Sequence, residues 1–235
     1  MEQNRTPKCA VVGYGSWATA IVKTLTTNRH HINWLVLNEE ILQSLERRGR
    51  NSKYLPWCDI DKEYFTASAD INAVVEDADI VIMAMPSAYM KKFLEPLTVD
   101  LSNKLVVSVV KGIIPGDYLT IVEHIHRYYN VPMQNLCVVT GPSHAEEVAQ
   151  GRLSYLTVAA EDKSTAESVR SLLENEFFRC SLSDDVLGVE GAAIMKNIYA
   201  LAVGMAVGLR FGDNFLAVLI AGCANEMKRF LDEAI

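Results

Sequence analysis

Seven short apolar runs alternate with helical patterns up to about residue 182, and this alternation constrains the fold more than any other feature. Buried parallel strands are near-continuous apolar runs joined by helices. The pattern therefore predicts an α/β fold, a Rossmann-type doubly wound sheet with all strands parallel and both faces covered. The runs are KCAVVG, INWLVL, YFTAS, ADIVIMAM, LVVSVV, LCVVT and YLTVAA, and helical periodicity lies at residues 17–28, 39–48, 87–97 and 118–129.

The pattern changes near residue 185, where two long helical stretches, 185–208 and 215–233, are joined by RFGDN. We predict a sheet domain over residues 1–184 and the start of an all-α domain over residues 185–235. The stretch 191–209 is apolar and long enough to cross a bilayer, but Lys196 and Asn197 lie well inside it. A charge at that depth costs about 3 kcal/mol in lipid, so we predict a buried core helix and no membrane span.

Composition narrows the classes of partner. The net charge of −7 argues against a nucleic-acid surface, which needs clustered lysine and arginine. Five scattered cysteines form no CxxC pair, which predicts reduced thiols, no metal site and a cytoplasmic location. The polar N-terminal segment MEQNRTPK predicts that no signal peptide is present.

A glycine corner follows the first apolar run. Gly13, Gly15 and Ala18 form the pattern G-x-G-x-x-A at the start of the first helix. In this pattern the first glycine makes a tight turn, the second lets a diphosphate approach the backbone, and the third small residue lets helix and strand pack closely. The corner therefore predicts a dinucleotide site, against the alternative that its small residues serve packing alone.

The end of the second run bears on which dinucleotide binds. An acid there favours NAD and an arginine favours NADP. This chain has Leu37, Asn38 and Glu39, which meets neither rule cleanly. We predict NAD or NADP, with NAD favoured because no arginine stands at this position.

Two later strand ends carry polar residues on the expected cofactor side. Lys111 follows the fifth run and precedes a glycine, which indicates a functional lysine rather than a merely solvated one. Gly141 and Ser143 follow the sixth run, and Ser143 is predicted to cap a helix whose N-terminus could take an anion.

Lys196 is the only cation in the stretch 186–209. At helical spacing it shares a face with Ala193, Ala200 and Gly204, which leaves room for a ligand. A partly desolvated lysine can exchange a proton near neutral pH, as the reduction of a carbonyl by hydride requires. The alternative is a lysine that extends to water.

Four ordered blocks, with a later GDN and EM, together resemble the bacterial NAD(P)-dependent glycerol-3-phosphate dehydrogenase family. The resemblance implies interconversion of sn-glycerol 3-phosphate and dihydroxyacetone phosphate for glycerophospholipid synthesis. Two alternatives remain open: another β-hydroxyacid-type dehydrogenase, and a catalytically incomplete NAD(P)-binding fragment. The blocks are residues 13–20, Lys111 with Gly112, 141–149, 188–204, and the later GDN and EM.

The resemblance also implies roles for individual residues. Ser16 and Trp17 would join Gly13 and Gly15 in binding the cofactor, and Ala145 would contact it as well. The substrate, a small phosphate, would be bound by Lys111, Gly141, Ser143 and Lys196. Lys111 would also contact the cofactor. Lys111 and Lys196 would be catalytic, with Lys196 as proton acceptor in oxidation.

The chain departs from the family pattern in three places. Ala18 replaces the third glycine, the NADP arginine is absent, and the family's later GDL and SRN blocks do not occur before Ile235. The helical domain is therefore expected to be truncated, with dinucleotide binding but little turnover. Helices without packing partners are expected to associate, so a homodimer or larger assembly is predicted.

Overall fold

The computed structural model describes residues 6–234 as a sheet of eight strands flanked by helices. Residues 1–5 and Ile235 lie outside the described range, and the prediction about a signal peptide rests partly on them. The strands are β1 (Cys9–Val12), β2 (Ile32–Leu35), β3 (Phe65–Ser68), β4 (Ile80–Met83), β5 (Leu105–Ser108), β6 (Leu136–Thr140), β7 (Ser154–Ala159) and β8 (Phe178–Ser183). The α-helices are α1 (Ser16–Thr27), α2 (Glu39–Arg48), α3 (Ile71–Val75), α4 (Met90–Leu94), α5 (Ile121–Tyr129), α6 (Ala145–Ala149), α7 (Lys163–Leu173), α8 (Val186–Gly208) and α9 (Asp213–Ala234).

The strand order confirms the Rossmann-type α/β fold. It runs β3-β2-β1-β4-β5-β6-β7-β8, and the first six strands in this order are mutually parallel. The prediction that all strands are parallel is wrong at one pair, because β7 runs antiparallel to β6. The last strand, β8, pairs in parallel with β7 and was not predicted.

The missed strand has the composition of a sheet edge. Its sequence FRCSLS alternates apolar and polar residues, with Phe178 buried and Arg179 exposed. Such a strand faces the core on one side and solvent on the other, so it lacks the continuous apolar run of the central strands.

Two apolar cores, one on each face of the sheet, hold the helices in place. Along β1, Cys9 and Val11 enter one core while Ala10 and Val12 enter the other. Helices α1, α2 and α7 bury their apolar faces in the first core, and α3, α4 and α5 bury theirs in the second. Helices therefore cover both faces, as the term doubly wound requires.

Helix α8 leaves the sheet after its first turns. Val186 and Glu190 are buried against the second core, whereas Lys196 and most residues beyond it are exposed. By length and composition α8 could cross a membrane, and 17% of its most apolar window is buried in the described structure. The prediction of a buried core helix is therefore not met, because α9 covers only one side of α8. The division between residues 184 and 185 stays a prediction.

Candidate active site

An open cleft of about 570 Å³ lies at the carboxyl ends of the parallel strands. It is centred between β1 and β4, where the strand order reverses, which is the usual ligand position in a doubly wound sheet. The cleft is lined by residues 14–17 after β1, 84–86 after β4, 109–111 after β5 and 143–146 after β6, together with Tyr54, Tyr89 and Phe93.

The two glycines of the corner have different surroundings. Gly13 has a φ of +128°, and a Cβ there would lie 2.3 Å from the carbonyl oxygen of Ala84. It lies behind the cleft, and its own carbonyl accepts a hydrogen bond of 2.7 Å from Trp34 Nε1. Gly15 lines the cleft, and a Cβ there would meet no heavy atom of residues 6–234 within 4 Å, its two chain neighbours apart. Gly13 therefore makes the turn, while Gly15 leaves space for a ligand.

The N-terminus of α1 opens into this space. The helix begins at Ser16, its N-cap Gly15 supplies no side-chain acceptor, and its first turn carries no acidic residue. Free N–H groups and the positive end of a 12-residue helix suit a diphosphate. Trp17 Nε1 is buried without a hydrogen-bond partner among the described residues, so it is free to donate to a ligand. These features fit a dinucleotide.

An aromatic wall, which the sequence did not predict, forms one side of the cleft. The ring of Tyr14 lies 6.4 Å from that of Tyr54 and 5.8 Å from that of Phe93. Buried Asn51 holds this arrangement, since its amide donates to the carbonyl of Tyr14 at 2.9 Å. Asn51 Oδ1 in turn accepts the backbone N–H of Tyr54 at 3.0 Å. The wall offers faces on which aromatic rings of a ligand can stack.

The two predicted catalytic lysines, Lys111 and Lys196, are close enough for the charge of one to affect the pKa of the other. Lys111 lines the cleft, and its Nζ lies 5.8 Å from the centre of the Trp17 ring. Burial, and secondly the charge of Lys196, lower the pKa of the Lys111 ammonium. Lys196 itself does not line the cleft and is exposed. The expected desolvation of Lys196 is therefore absent, because no segment within residues 6–234 covers that face of α8.

The sixth strand end differs from the prediction at Ser143. Ser143 lines the cleft but does not cap a helix, because α6 begins at Ala145 and its N-cap is His144. The hydroxyl of Ser143 instead donates to the carbonyl of Gly141 at 3.4 Å. The five residues of α6 also make a weak dipole. An anionic group of a ligand would therefore bind better at the N-terminus of α1 than at the N-terminus of α6.

Gly141 and Ala145 have separate positions at this strand end. A Cβ on Gly141 would lie 2.7 Å from the carbonyl oxygen of Tyr155, so this glycine permits the close approach of β6 and β7. Gly141 does not line the cleft, whereas Ala145 does. Within residues 6–234 no group of three metal-ligating side chains occurs.

The sequence at the tip of β2, residues 36–38, contains no arginine. Asn38 caps α2 by accepting the N–H of Ile41 at 3.1 Å. Arg50, which could have reached back toward a phosphate, pairs with Asp59 at 2.9 Å. The first turn of α2 carries Glu39 and Glu40 instead.

Comparison with known proteins identifies two family domains along the chain. The NAD-dependent glycerol-3-phosphate dehydrogenase N-terminus matches residues 8–166, and the C-terminus of the same family matches residues 185–234. The chain is 35% identical over 226 residues to the glycerol-3-phosphate dehydrogenase [NAD(P)+] of Halothermothrix orenii, and this match covers 94% of this chain and 64% of the relative. It is likewise 35% identical to that of Lysinibacillus sphaericus, over 94% of this chain and 66% of the relative.

Solved structures agree with the sequence relatives. The glycerol-3-phosphate dehydrogenase of Coxiella burnetii superimposes with a TM-score of 0.87 at 27% identity, over 97% of this chain and 69% of that one. The enzyme of Saccharomyces cerevisiae superimposes with a TM-score of 0.86 at 25% identity, over 96% and 70%. The family match spans most of the sheet and both long helices. The chain therefore belongs to the NAD-dependent glycerol-3-phosphate dehydrogenase family.

Proposed function

We propose that this chain interconverts sn-glycerol 3-phosphate and dihydroxyacetone phosphate by hydride transfer with NAD or NADP. The observation that carries the proposal is the cleft that fits a dinucleotide and is lined by Lys111, whose pKa is lowered by burial and by the charge of Lys196 on α8. The family relatives, whose names state this activity, support it. The chain spans 64% of the length of the first of these relatives, so the activity is a proposal for this chain.

The cofactor would be held by the β1–α1 corner. Gly15 and Ser16 would receive the diphosphate at the N-terminus of α1, and Trp17 Nε1 would donate a hydrogen bond. Ala145 would close the opposite side of the cleft. Once bound, the nicotinamide would supply or accept the hydride. Gly13 would act indirectly, because it makes the turn that orients the start of α1 toward the cofactor.

The lysines would handle the substrate. Reduction of the ketone adds a hydride to carbon and a proton to oxygen, so a proton donor is needed. We assign that proton to the Lys196 ammonium in the direction of reduction. In the oxidative direction the neutral amine of Lys196 would accept the proton from the substrate hydroxyl. Lys111 would hold the anionic substrate, with Ser143 beside it in the cleft. Gly141 would contribute by keeping β6 and β7 close enough to place Ser143.

Two assays on the 235-residue chain test the proposal. We expect NADH to bind, seen as a fluorescence change on titration, because the β1–α1 corner is complete within this chain. We expect slow turnover of dihydroxyacetone phosphate, because Lys111 is the one lysine or arginine among the described residues that line the cleft. Loss of an anchor for the non-reacting phosphate lowers turnover as well as binding.

A chimera separates the possible outcomes. It appends the remaining C-terminal region of the Halothermothrix orenii relative after residue 234, and we expect it to turn over dihydroxyacetone phosphate faster than the chain alone. NADH binding by both proteins with turnover by neither would favour the dinucleotide-binding alternative. Oxidation of β-hydroxyacids in preference to sn-glycerol 3-phosphate would favour the β-hydroxyacid-type dehydrogenase alternative.

The cofactor preference gives a further prediction. Because Glu39 and Glu40 would repel a 2′-phosphate, NADH should bind at least as well as NADPH. Replacement of exposed Leu37 by arginine should raise the affinity for NADPH relative to NADH by about tenfold, with Leu37→Gln as the matched control. Side-by-side fluorescence titrations measure both. A clear NADPH preference in the unmodified chain would contradict this assignment and point to Arg47 or Arg48.

Self-association is proposed from the apolar surface of α8 and α9. Leu201, Met205 and Val218 are all more than half exposed in the described chain. Exposed apolar patches of this kind favour association, so we expect a homodimer or larger species in sedimentation velocity. The double variant Leu201→Glu, Val218→Lys should shift the chain toward monomer. Leu153→Glu, at a similarly exposed leucine that precedes β7 and belongs to neither helix, should not.

We also infer a reducing, cytoplasmic setting and a role in supplying glycerol 3-phosphate for phospholipid synthesis. The five cysteines are unpaired, and burial raises the pKa of the Cys9 thiol to about 12, which makes it unreactive. The proposed partner is a small-molecule phosphate, with neither nucleic acid nor membrane.

A further inference from the structure

Glu190 on α8 is a carboxylic acid with no solvent exposure in the described chain (0%). Burial of a carboxylate is unfavourable unless hydrogen bonds replace the lost water. The reaction proposed above does not use this residue directly. Its contacts therefore need another explanation.

These contacts lie at the start of α5. One carboxylate oxygen of Glu190 accepts the backbone N–H of Ile121 at 3.1 Å, and the other accepts that of Val122 at 3.4 Å. Thr120, the N-cap of α5, immediately precedes these two residues. The first N–H groups of a helix have no partner within it, so a side chain of α8 satisfies the N-terminus of α5.

The contact joins the two segments that carry the lysines. Residues 109–120 connect β5 to α5 and contain Lys111 near their start. The middle of this loop is held by an ion pair of 2.7 Å between Asp117 and Lys91 of α4, and its far end is held by Glu190. On α8, Lys196 follows Glu190 by six residues, about 9 Å along the helix axis.

We propose that Glu190 is a positioning residue: its buried carboxyl group ties the loop that carries Lys111 to the helix that carries Lys196, and so sets how the two lysines meet at the cleft. The proposal rests on the proposed function only in giving the two lysines roles in the reaction. The tie itself can be measured without turnover.

The ionisation of Glu190 gives its contact with the start of α5 a measurable pH dependence, which a simple packing role would not have. Burial, with a smaller contribution from the charge of Glu123 on α5, raises the pKa of Glu190 from 4.5 to about 7, although the hydrogen bonds from Ile121 and Val122 partly oppose the shift. Between about pH 4.5 and about pH 7, Glu190 therefore keeps a proton in the folded protein that it has lost in the unfolded chain. The stability contributed by this proton is fully present below the unfolded pKa of 4.5 and is lost as the pH rises through about 7.

The experiment compares the 235-residue chain with Glu190→Gln, Glu190→Ala and the matched control Glu123→Gln. Glu123 also bonds at this helix end, to the N–H of Thr120 at 2.8 Å, but it belongs to α5 itself. Three quantities are measured: hydrogen exchange at Ile121 and Val122, the urea midpoint from about pH 5 to about pH 8, and the labelling rate of Lys111 by trace acetic anhydride.

In Glu190→Ala we expect exchange at both amides to rise at least about tenfold. We also expect Lys111 labelling to slow at least about threefold, because its pKa returns toward the ordinary value. In Glu190→Gln the fall of the urea midpoint between about pH 5 and about pH 7 should be absent, while Glu123→Gln should retain it. If Glu190→Ala does not fold, Glu190→Gln decides.

Unchanged labelling of Lys111 in a folded Glu190 variant would overturn the proposal, since Glu190 would then only cap α5. An unchanged pH dependence in Glu190→Gln would overturn it as well. Absence of turnover in the unmodified chain would count against the proposed function and would leave all three measurements intact.

Discussion

Replacement of Lys196 by methionine is expected to lower the turnover of dihydroxyacetone phosphate at least about a hundredfold, the lower range for loss of a general acid. Methionine keeps the length of the side chain but cannot donate a proton. The rate is measured in the 235-residue chain and in the chimera described above. NADH affinity should barely change, because Lys196 does not line the cleft.

The control for this variant is Lys228→Met on α9. Lys228 is an exposed lysine paired with Asp232 in the next turn, so its loss changes the net charge by the same amount as the loss of Lys196. It should leave turnover unchanged. Near-normal turnover in Lys196→Met, or an equal loss in both variants, would remove Lys196 from the mechanism.

A second consequence concerns Lys111. Because the charge of Lys196 is one cause of the lowered pKa of Lys111, Lys196→Met should raise that pKa. The rate at which acetic anhydride labels Lys111 at neutral pH should therefore fall in this variant. This measurement tests the electrostatic link between the two lysines independently of turnover.

The features of the fold and of the site that depend on residues adjacent in sequence were predictable from the sequence. Gly13, Gly15 and the start of α1 form one continuous segment, so their pattern already contains the turn and the helix terminus. The position of Lys111 at the cleft was predictable because carboxyl ends of parallel strands share an edge of the sheet, whereas its catalytic role stays a prediction. The central strands were found because burial on both faces requires continuous apolar sequence.

The parts that depend on distant contacts were not predictable in this way. Tyr54 reaches the cleft because Asn51 bonds to Tyr14, 37 residues earlier, and nothing in the local sequence signals that bond. The environment of Lys196 depends on which segment covers α8, and helical periodicity cannot show this. Ser143 was assigned to a helix cap because serine favours that position, but the helix begins one residue too late.

Replacement of each glycine of the corner by alanine should affect a different property: stability at Gly13 and cofactor affinity at Gly15. Gly13→Ala should lower the free energy of unfolding by about 3 kcal/mol or more, because a β-carbon strains the positive φ and clashes with backbone. The clash is with the carbonyl oxygen of Ala84 at 2.3 Å, and backbone cannot rotate away as a flexible side chain could. Urea unfolding measures the loss, and NADH binding should fail together with the fold.

Gly15→Ala should instead fold normally and bind poorly. Its φ of −73° suits any residue, and no heavy atom of the described residues, chain neighbours apart, lies within 4 Å of the added carbon, so stability should stay within about 1 kcal/mol. The same carbon enters the cleft where the diphosphate would approach the backbone, so the affinity for NADH should fall at least about tenfold. Full NADH affinity in a stable Gly15→Ala variant would mean that the diphosphate does not lie at this corner. The pair thereby separates the glycine that makes the turn from the glycine that makes room for the ligand.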